Sequence, residues 1–449
     1  RPPRSTLFPY TTLFRSWGMT QAAPELVHWL LKLGVKFNMS GYDDVDLRNF
    51  GGQKKKRTAF AQSDTGKQIM TAMIDAVRRK EASGMVERFS HHSFLTLRLC
   101  DNICCGCVIR DEYSQETVEL PGDAVIVATG GMHGLFGNTT GSLSNTGEVT
   151  AELFRLGVPL ANGEMIQYHP TTVKCGGKRM LISEAARGEG GRLFAMKDGK
   201  QWYFMEEKYP ELGNLMPRDI TAREIWKVSH ESEVFLDMTE ISEEIISNKL
   251  SGLADDCMTY LHKDIRKEPV SVLPGIHYFM GGILVDEQHR TPIQNLCAAG
   301  ECCAQYHGAN RLGGNSLLGA LYGGRVAAKS ACEQADVVDL SCATQIDCPP
   351  ASQISEIKQL NKVMQETMGV VRNENTLLNG IQTVQALTGN LPLLGMAVLK
   401  SALARKESRG AHWREDYPKS NDDDYLKTTV ARFDGKQIQI SFVPVPERR

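Results

Sequence analysis

The 449-residue sequence lacks a long apolar run, a large excess of one charge and a dense set of cysteines. Its best apolar segments, such as residues 124–128, have the length of a buried strand, whereas a membrane-spanning helix needs about 20 apolar residues. The 51 Lys and Arg residues nearly balance the 53 Asp and Glu residues, which argues against a dedicated nucleic-acid binder. Twelve scattered cysteines are too few for a disulfide scaffold and favour a reducing compartment.

The remaining composition is that of a folded protein of two or three domains. With 41% hydrophobic and 23% charged residues, the chain can bury a substantial core, which excludes disordered and fibrous classes. Residues 1–16 show no helical or strand periodicity and contain two similar stretches, STLFPY and TTLFRS. We interpret them as an artefact leader and exclude them from the fold. After them, Pro24 predicts a helix start and Gly34 predicts its end.

Local patterns predict several elements of the first part of the chain. Apolar spacing predicts an amphipathic helix over residues 65–80, and alternation predicts a hairpin of residues 95–99 and 108–109 with its turn at Gly106. A strand over residues 123–128 runs directly into small residues. Such an exit either brings backbone against a cofactor or simply leaves the sheet for a loop, and the motif alone does not decide.

The later chain contains predicted helices and few strands. A long helix follows Asn315, and three further helices are predicted over residues 354–368, 376–387 and 393–406. The tail from Asn421 is charged and then forms short strands. No internal repeat is present.

Five short segments concentrate side chains that bind anions or move protons. His169 precedes a proline and is therefore extended, although a lone histidine is usually structural. Glu184 and Arg187 are three residues apart beside glycines, a pattern that also describes a surface ion pair. Asp219 lies near a predicted helix start, where its negative charge interacts favourably with the helix dipole. The segments are, in chain order, QYHPT (167–171), SEAARGEGG (183–191), PRD (217–219), HYFMGG (277–282), and GE (300–301) with HGANRLGGNSL (307–317).

Together and in this order, the segments resemble those of the flavoprotein subunit of fumarate reductase and succinate dehydrogenase, in the family that also includes L-aspartate oxidase. ESRGAH (407–412) and RED (414–416) are similar to the C-terminal region of that family. The resemblance implies an α/β fold, with α+β character in its capping part. We expect an incomplete FAD-binding Rossmann-like domain in two parts (17–163 and 277–336), an inserted capping domain (164–276) and a C-terminal helical domain (350–449).

The resemblance implies FAD as the cofactor. The G-x-G-x-x-G turn that holds the ADP half of FAD in the family is absent, and the family pattern places it before Trp17. We therefore expect an N-terminally truncated chain that binds FAD poorly, because the pyrophosphate would lose its helix N-terminus. Purification with stoichiometric flavin would contradict this expectation. The implied FAD contacts are Ala128, Thr129, Gly130, Gly131, Glu301, Asn315, Ser316 and Leu317.

The implied reaction interconverts fumarate and succinate by hydride transfer with N5 of FAD. A C4 dicarboxylate has two negative charges and needs cationic or hydrogen-bonding partners at both ends. By resemblance, Arg218 is the proton donor, and Glu184 and Arg187 relay protons to it. A guanidinium is a poor acid unless a dry cationic pocket disfavours its proton, so a role as substrate clamp stays open. The implied substrate-binding residues are His169, Ser183, His277 and Arg311, together with Phe50 and Gly51.

Phe50 favours the dicarboxylate branch over L-aspartate oxidase. At the matching position, L-aspartate oxidase has a glutamate that faces the substrate amino group, and a phenyl ring cannot pair with an ammonium in that way. Phe50 could also be ordinary core packing. The alternatives that stay open within the family are L-aspartate oxidase and another FAD-dependent dicarboxylate or enoate reductase.

The resemblance also implies partners and a location. Relatives of this type pass electrons to an iron–sulfur subunit and through it to a membrane anchor, although single-chain relatives exist. The chain is then cytoplasmic, or peripheral on the inner face of the cell membrane through those subunits. The sequence does not show whether the protein oxidises succinate or reduces fumarate in the cell, because the flavin potential and the electron partner decide this.

Two hypotheses lie outside the family. Four closely spaced cysteines suggest a metal site or redox module, but their spacing fits no two-knuckle zinc pattern. A scaffold protein without catalysis is the other alternative. The cysteines are Cys100, Cys104, Cys105 and Cys107.

Overall fold

The computed structural model describes residues 11–334 and 353–444, except residues 43, 52, 54, 63, 143 and 305. Across these residues, no helix combines the length and apolarity that crossing a membrane requires. The helices are α1 (Thr11–Lys32), α2 (Thr65–Ala82), α3 (Glu148–Arg155), α4 (Glu184–Gly188), α5 (Phe204–Lys208), α6 (Arg218–Val228), α7 (Glu243–Lys249), α8 (Ser251–Leu261), α9 (Asn315–Gln334), α10 (Ile354–Thr367), α11 (Glu374–Val384), α12 (Asn390–Ala404) and α13 (Asp422–Tyr425).

The strands are mostly short and form several small sheets. They are β1 (Leu47–Arg48), β2 (Thr58–Ala59), β3 (His92–Cys100), β4 (Ile103–Asp111), β5 (Thr117–Pro121), β6 (Val125–Val127), β7 (Leu160–Ala161), β8 (Ile166–Cys175), β9 (Lys178–Leu181), β10 (Arg192–Lys197), β11 (Lys200–Trp202), β12 (Val234–Asp237), β13 (Val270–Ser271), β14 (Leu273–Phe279), β15 (Gly282–Ile283), β16 (Leu296–Ala298), β17 (Lys427–Phe433) and β18 (Ile438–Pro444).

The α/β class predicted from the sequence is confirmed. β6 and β16 pair in parallel, and α9 packs against both, as in a Rossmann-like core. The capping part has α+β character: an antiparallel sheet in the order β11-β10-β12-β13 packs with α5, α6, α7 and α8 around its own apolar cluster.

Strand β14 connects the capping part to the chain that follows it. It pairs antiparallel with β8, so His277 lies on the same sheet as His169. Residues 276 and 277, between which the domain boundary is expected, both lie in this strand, and the boundary itself stays a prediction.

The C-terminal part is not wholly helical. Helices α10, α11 and α12 pack against one another, and α12 also packs on α3, around a large apolar cluster. Strand β17 pairs with β18 and also with β7, so the chain's last strands join a sheet begun near residue 160. The strand pair agrees with the short strands predicted after Asn421, and the predicted C-terminal domain over residues 350–449 stays a prediction.

Two local expectations are wrong. The first helix begins at Thr11 rather than near Pro24, which lies inside it. An internal proline costs about 3 kcal/mol in a helix, but buried Met19 and Leu26 flank it and their packing offsets that cost. Thus residues 11–16 are helical, and the part of the suggested leader before them lies outside the described residues.

The second wrong expectation concerns Gly106. The hairpin is real, but β3 and β4 turn at residues 101–102, and Gly106 lies within β4 with a φ of +132°. A Cβ at Gly106 would collide with the backbone of Leu120 on the next strand. Its glycine is therefore required by close strand packing, which gives the same sequence signal as a turn.

Candidate active site

Residues from five separate segments meet in one buried cluster. Strand β8 contributes His169, β14 contributes His277, α4 contributes Glu184, α6 contributes Arg218, and the segment before α9 contributes Arg311. Antiparallel pairing of β8 with β14 brings the two imidazoles together, with ring centroids 5.2 Å apart in an edge arrangement. The sequence prediction that these residues share a site is supported by this geometry.

Arg218 is held from two sides. Its Nη2 donates to Glu184 Oε2 at 2.7 Å, and its Nη1 donates to Gln167 Oε1 at 3.1 Å. The other carboxylate oxygen, Glu184 Oε1, accepts from Arg187 Nη2 at 3.1 Å, and Arg187 Nη1 donates to the carbonyl of Asn214 at 2.6 Å. One carboxylate therefore bridges two guanidiniums, which is the connectivity that a relay to Arg218 requires.

Electrostatics within the cluster are dominated by burial and by the arginines. Burial alone would raise the pKa of Glu184, but Arg218 and Arg187 outweigh it and hold that pKa below its ordinary value. Burial, with help from Arg218, lowers the pKa of Arg311 to about 9. Burial and the neighbouring Arg218 also hold the pKa values of His169 and His277 well below the ordinary histidine value. Both imidazoles are thus neutral near pH 7.

The cluster contains buried polar atoms that the described part of the chain leaves unpaired. The Nε2 atom of His169 and the Nε atom of Arg311 are buried and have no hydrogen-bond partner among the described residues. The guanidinium of Arg311 instead lies 4.4 Å from the centroid of the Tyr278 ring. Buried polar atoms are rarely left unpaired, so these two atoms indicate a place for a ligand that accepts hydrogen bonds.

The orientation of each imidazole is set by a neighbour. His169 Nδ1 lies 3.1 Å from the carbonyl oxygen of Thr171 and 3.3 Å from its backbone N–H. The ring proton is on Nδ1 when that atom donates to the carbonyl, and on Nε2, where a carboxylate can accept it, when Nδ1 accepts from the N–H. The Nδ1 of His277 lies 2.8 Å from the hydroxyl of Thr140. Thr140 was not predicted, because its contact joins residues more than 130 positions apart.

Phe50 and Gly51 form a wall beside the bridging carboxylate. A Cβ at Gly51 would collide with Glu184 Oε1, and a Cβ at Gly313 would lie 2.8 Å from Phe50 Cβ and 2.6 Å from Glu184 Oε2. The guanidinium of Arg48 lies 5.2 Å from the centroid of the Phe50 ring. The prediction that Phe50 and Gly51 lie at the site agrees with these contacts.

Ser183 has a local role. It caps the N-terminus of α4, where its hydroxyl accepts from the Ala185 N–H at 3.2 Å. Because Glu184 is the next residue, this cap fixes the first turn that carries the carboxylate. The expected substrate contact of the Ser183 hydroxyl stays a prediction.

The residues assigned to FAD converge beside this cluster. Thr129, Gly130 and Gly131 follow β6, and Glu301 follows its parallel partner β16. A Cβ at Gly131 would lie 2.7 Å from Glu301 Oε1, so the two exits are in contact. The carboxyl ends of parallel strands are the usual dinucleotide site.

Helix α9 supplies the other part of that site. It begins at Asn315, so Asn315, Ser316 and Leu317 present first-turn N–H groups that an electron-rich group can accept. The residues present therefore fit one part of an FAD site. Ala128 belongs to the same exit of β6.

The cysteine hypothesis receives no support from the described residues, which contain no group of three or more potential metal ligands. Cys100 is disulfide-bonded and has no free thiol to offer a metal. Burial raises the pKa of Cys104 to about 12, so its thiol stays protonated. Cys105 is buried and donates to the carbonyl of Arg98.

Comparison with known proteins gives two family matches and several relatives. Residues 17–317 match the family described as FAD binding domain, and residues 387–448 match the fumarate reductase flavoprotein C-terminal family. The succinate dehydrogenase flavoprotein subunit of Bacillus subtilis is 36% identical over 96% of this chain and 84% of its own length.

A second relative and a solved structure extend the comparison. The 8-methylmenaquinol:fumarate reductase flavoprotein subunit of Wolinella succinogenes is 31% identical over 95% of this chain and 78% of its own length. A single-site variant of the E. coli quinol fumarate reductase FrdA superposes with a TM-score of 0.85 at 26% identity, covering 96% of this chain and 84% of that one.

Proposed function

The chain belongs to the FAD-binding family of succinate dehydrogenase and fumarate reductase flavoprotein subunits, and from that membership we propose that it interconverts succinate and fumarate, with Arg218 moving the proton. It is an FAD-dependent oxidoreductase. The observation that carries the proposal is the pair of buried nitrogen atoms without a partner among the described residues, His169 Nε2 and Arg311 Nε, around a guanidinium that is already bound to a carboxylate.

The dicarboxylate is bound by those donors. Arg311 supplies a charged donor for one carboxylate, and the neutral His169 and His277 donate to the other. In the reductive direction, negative charge develops on one carboxylate, so cationic and N–H donors already fixed in place lower the barrier. Bound FAD supplies the hydride acceptor or donor. The residues expected to hold it are Thr129, Gly130, Gly131, Glu301, Asn315, Ser316 and Leu317.

The proton passes through Arg218. Its guanidinium donates a proton to substrate carbon, and the bound carboxylate of Glu184 returns one from Arg187. The site favours this otherwise difficult transfer in two ways. Burial excludes water from the site, and the hydrogen bonds to Glu184 and Gln167 hold the guanidinium in one orientation. Phe50 closes the site beside Glu184 and offers no charge to a substrate ammonium, which supports a dicarboxylate over L-aspartate.

Electron partners follow from the type of protein. The matched relatives are named as flavoprotein subunits, and this chain is of that type. We propose that it transfers electrons to an iron–sulfur subunit and is held through that subunit at the inner face of the membrane. Co-purification of an iron–sulfur protein with the tagged chain from its own cells supports this; a tagged chain that purifies alone from membrane extracts contradicts it.

A dye-coupled assay tests the reaction. With FAD added in excess, the protein should reduce fumarate with a reduced dye and oxidise succinate with an oxidised dye. L-Aspartate should be a poor substrate under the same conditions. Faster oxidation of L-aspartate than of succinate would contradict the proposed substrate. The Glu224→Gln variant controls for the loss of a carboxylate outside the cluster and should keep the activity of the parent protein. Glu224 lies on α6, but its carboxylate binds Lys208 at 2.7 Å.

A further inference from the structure

Four polar side chains form one hydrogen-bonded chain that ends at Arg218. Asp219 Oδ1 accepts from Asn310 Nδ2 at 2.7 Å, Asn310 Oδ1 accepts from Gln167 Nε2 at 2.7 Å, and Gln167 Oε1 accepts from Arg218 Nη1 at 3.1 Å. Gln167 and Asn310 are buried, with 0% and 3% of their surface exposed. All three bonds run in the same direction, from the guanidinium towards the carboxylate.

The direction of such a chain is decided at its ends. A primary amide has a donor on one side and an acceptor on the other, so the amides of Asn310 and Gln167 could in principle both be reversed. A reversed Gln167 would place its NH2 group against Arg218, and two donors would face each other. The guanidinium can only donate and an ionised carboxylate can only accept, so both ends favour the observed direction.

Asp219 is well placed to enforce this direction. It lies in the first turn of α6, where burial raises the pKa of its carboxyl group, while Arg223 and the N–H groups of Asp219 and Ile220 oppose this shift and favour the ionised form. An asparagine there would turn its single oxygen to those N–H groups and its NH2 group to Asn310. Asn310 would then have to reverse. Gln167 would then also have to reverse, which would break the hydrogen bond that its Nε2 donates to the Arg311 carbonyl at 2.7 Å.

We propose that Asp219 is a positioning residue for Arg218, acting through Asn310 and Gln167 to keep an acceptor against the guanidinium. The inference rests on the proposed function of Arg218 and deepens it. It separates Arg218 from the residues that bind the substrate, because Asp219 has no role in holding the dicarboxylate. Asp219 should therefore influence kcat rather than KM.

The Asp219→Asn variant tests the proposal in FAD-saturated protein. We expect kcat for fumarate reduction to fall by about 100-fold, the effect of misplacing a reacting group by about 1 Å. KM should change little, since Arg311, His169 and His277 are retained. Glu224→Gln, which removes a carboxylate from the same helix outside the chain of bonds, should leave kcat unchanged.

A double variant distinguishes direction from simple structure. When Asp219→Asn is combined with Asn310→Asp, the new carboxylate at 310 can only accept, so Gln167 again donates to it and faces Arg218 with oxygen. We expect most of the lost kcat to return, although two side chains have been replaced. Unchanged kcat in the single variant, or no recovery in the double variant, would overturn the proposal.

Crystal structures of the variants give a readout that does not depend on catalysis. The distance from Arg218 Nη1 to the nearest Gln167 side-chain atom should exceed hydrogen-bond length in Asp219→Asn and return to about 3 Å in the double variant. If these distances behave as described while the parent protein does not reduce fumarate, the proposed function fails and the positioning role stands. An unaltered distance in Asp219→Asn overturns the positioning role itself.

Discussion

Two buried clusters of arginine, histidine and glutamate lie in this molecule, and they differ in how their positive charge is neutralised. In the C-terminal cluster, Arg405 binds Glu164 and Glu407, both at 2.7 Å, and Arg409 binds Glu407 at 2.8 Å. Arg414 binds Asp416 at 2.6 Å. Each of these three arginines thus has a carboxylate contact. Arg372, which contacts His412 at 2.9 Å in the same cluster, has no salt bridge among the described residues and keeps an unpaired Nη2. The cluster is nevertheless balanced in charge without a ligand, because its four arginines are matched by the four carboxylates of Glu164, Glu407, Asp416 and Asp422.

The candidate active site is unbalanced. Among the described residues, Glu184 is the one carboxylate that forms salt bridges with its arginines, and it serves both Arg218 and Arg187. Arg311 has no salt bridge there and retains an unpaired Nε. Buried charges cost free energy unless they are paired. An excess of buried positive charge is therefore expected where an anionic ligand supplies the missing negative charge. The comparison suggests that the balanced cluster serves the fold and the unbalanced one serves binding.

The sharpest test of the unbalanced cluster is Arg218→Lys. We expect kcat to fall by about 10²–10⁴-fold, the usual contribution of a general acid, because an ammonium cannot bind Glu184 and Gln167 in the same fork. Binding of fumarate should stay measurable by calorimetry, since Arg311 is retained. Arg192→Lys, at a partly exposed ion pair with Glu206, is the matched control and should keep full activity. Retained activity in Arg218→Lys would remove that arginine from the proton path.

The balanced cluster should respond in stability instead. Glu407→Gln leaves Arg405 and Arg409 buried with reduced compensation, and we expect the free energy of unfolding to fall by about 3–5 kcal/mol. Urea denaturation measures it. Glu268→Gln, at the exposed pair with Lys263, should change the same quantity by less than about 1 kcal/mol. Equal losses in the two variants would mean that burial does not distinguish the C-terminal cluster from the surface.

A glycine substitution probes how tightly the site holds its single bridging carboxylate. In Gly51→Ala, the added methyl group collides with Glu184 Oε1 and lies 3.1 Å from the carbonyl of Met216. We expect a stability loss of about 1–3 kcal/mol from overpacking, together with a lower kcat because Glu184 is displaced from Arg218. Gly66→Ala, on α2 with open space around its Cα, should instead be neutral or slightly stabilising. Full kcat in Gly51→Ala would show that Glu184 adapts without loss.

The sequence reveals the members of the active site better than the bonds between them. His169, Glu184, Arg218, His277 and Arg311 were predicted to meet because their motifs occur in a restrictive order, and the structure brings them together. Their bonding partners could not be predicted. Contacts such as those of Thr140 with His277, or of Asn310 with Asp219, join residues about 90–140 positions apart and depend on tertiary packing.

The same limit applies to the fold. Helix α2 was predictable because its apolar period is local. The start of α1 and the position of Gly106 were not, because tertiary packing outweighed an internal proline in one case and required a glycine inside a strand in the other. The ion pairs of the balanced cluster could not be predicted either, since one of them joins Arg405 to Glu164, about 240 residues earlier.

The smallest expected effect separates the clusters by pH. Burial holds the pKa values of His169 and His277 at the site, and of His412 in the C-terminal cluster, well below the ordinary value. Unfolded chains gain these protons near pH 6.5 and the folded protein does not, so stability should fall as the pH decreases below about 6.5, by up to about 1.4 kcal/mol per pH unit for each histidine.

Bound fumarate should reduce this loss of stability only for the two histidines of the candidate active site. In the proposed binding mode, its negative charge lies against His169 and His277, raises their pKa values and lets the folded protein accept those protons, whereas His412 belongs to the C-terminal cluster. The shift in Tm that fumarate causes should therefore be larger at pH 6.0 than at pH 7.5. The difference should correspond to about 1 kcal/mol of additional stabilisation. If that shift is the same at both pH values, the dicarboxylate does not contact the two imidazoles, and the unbalanced charge must serve a different anion.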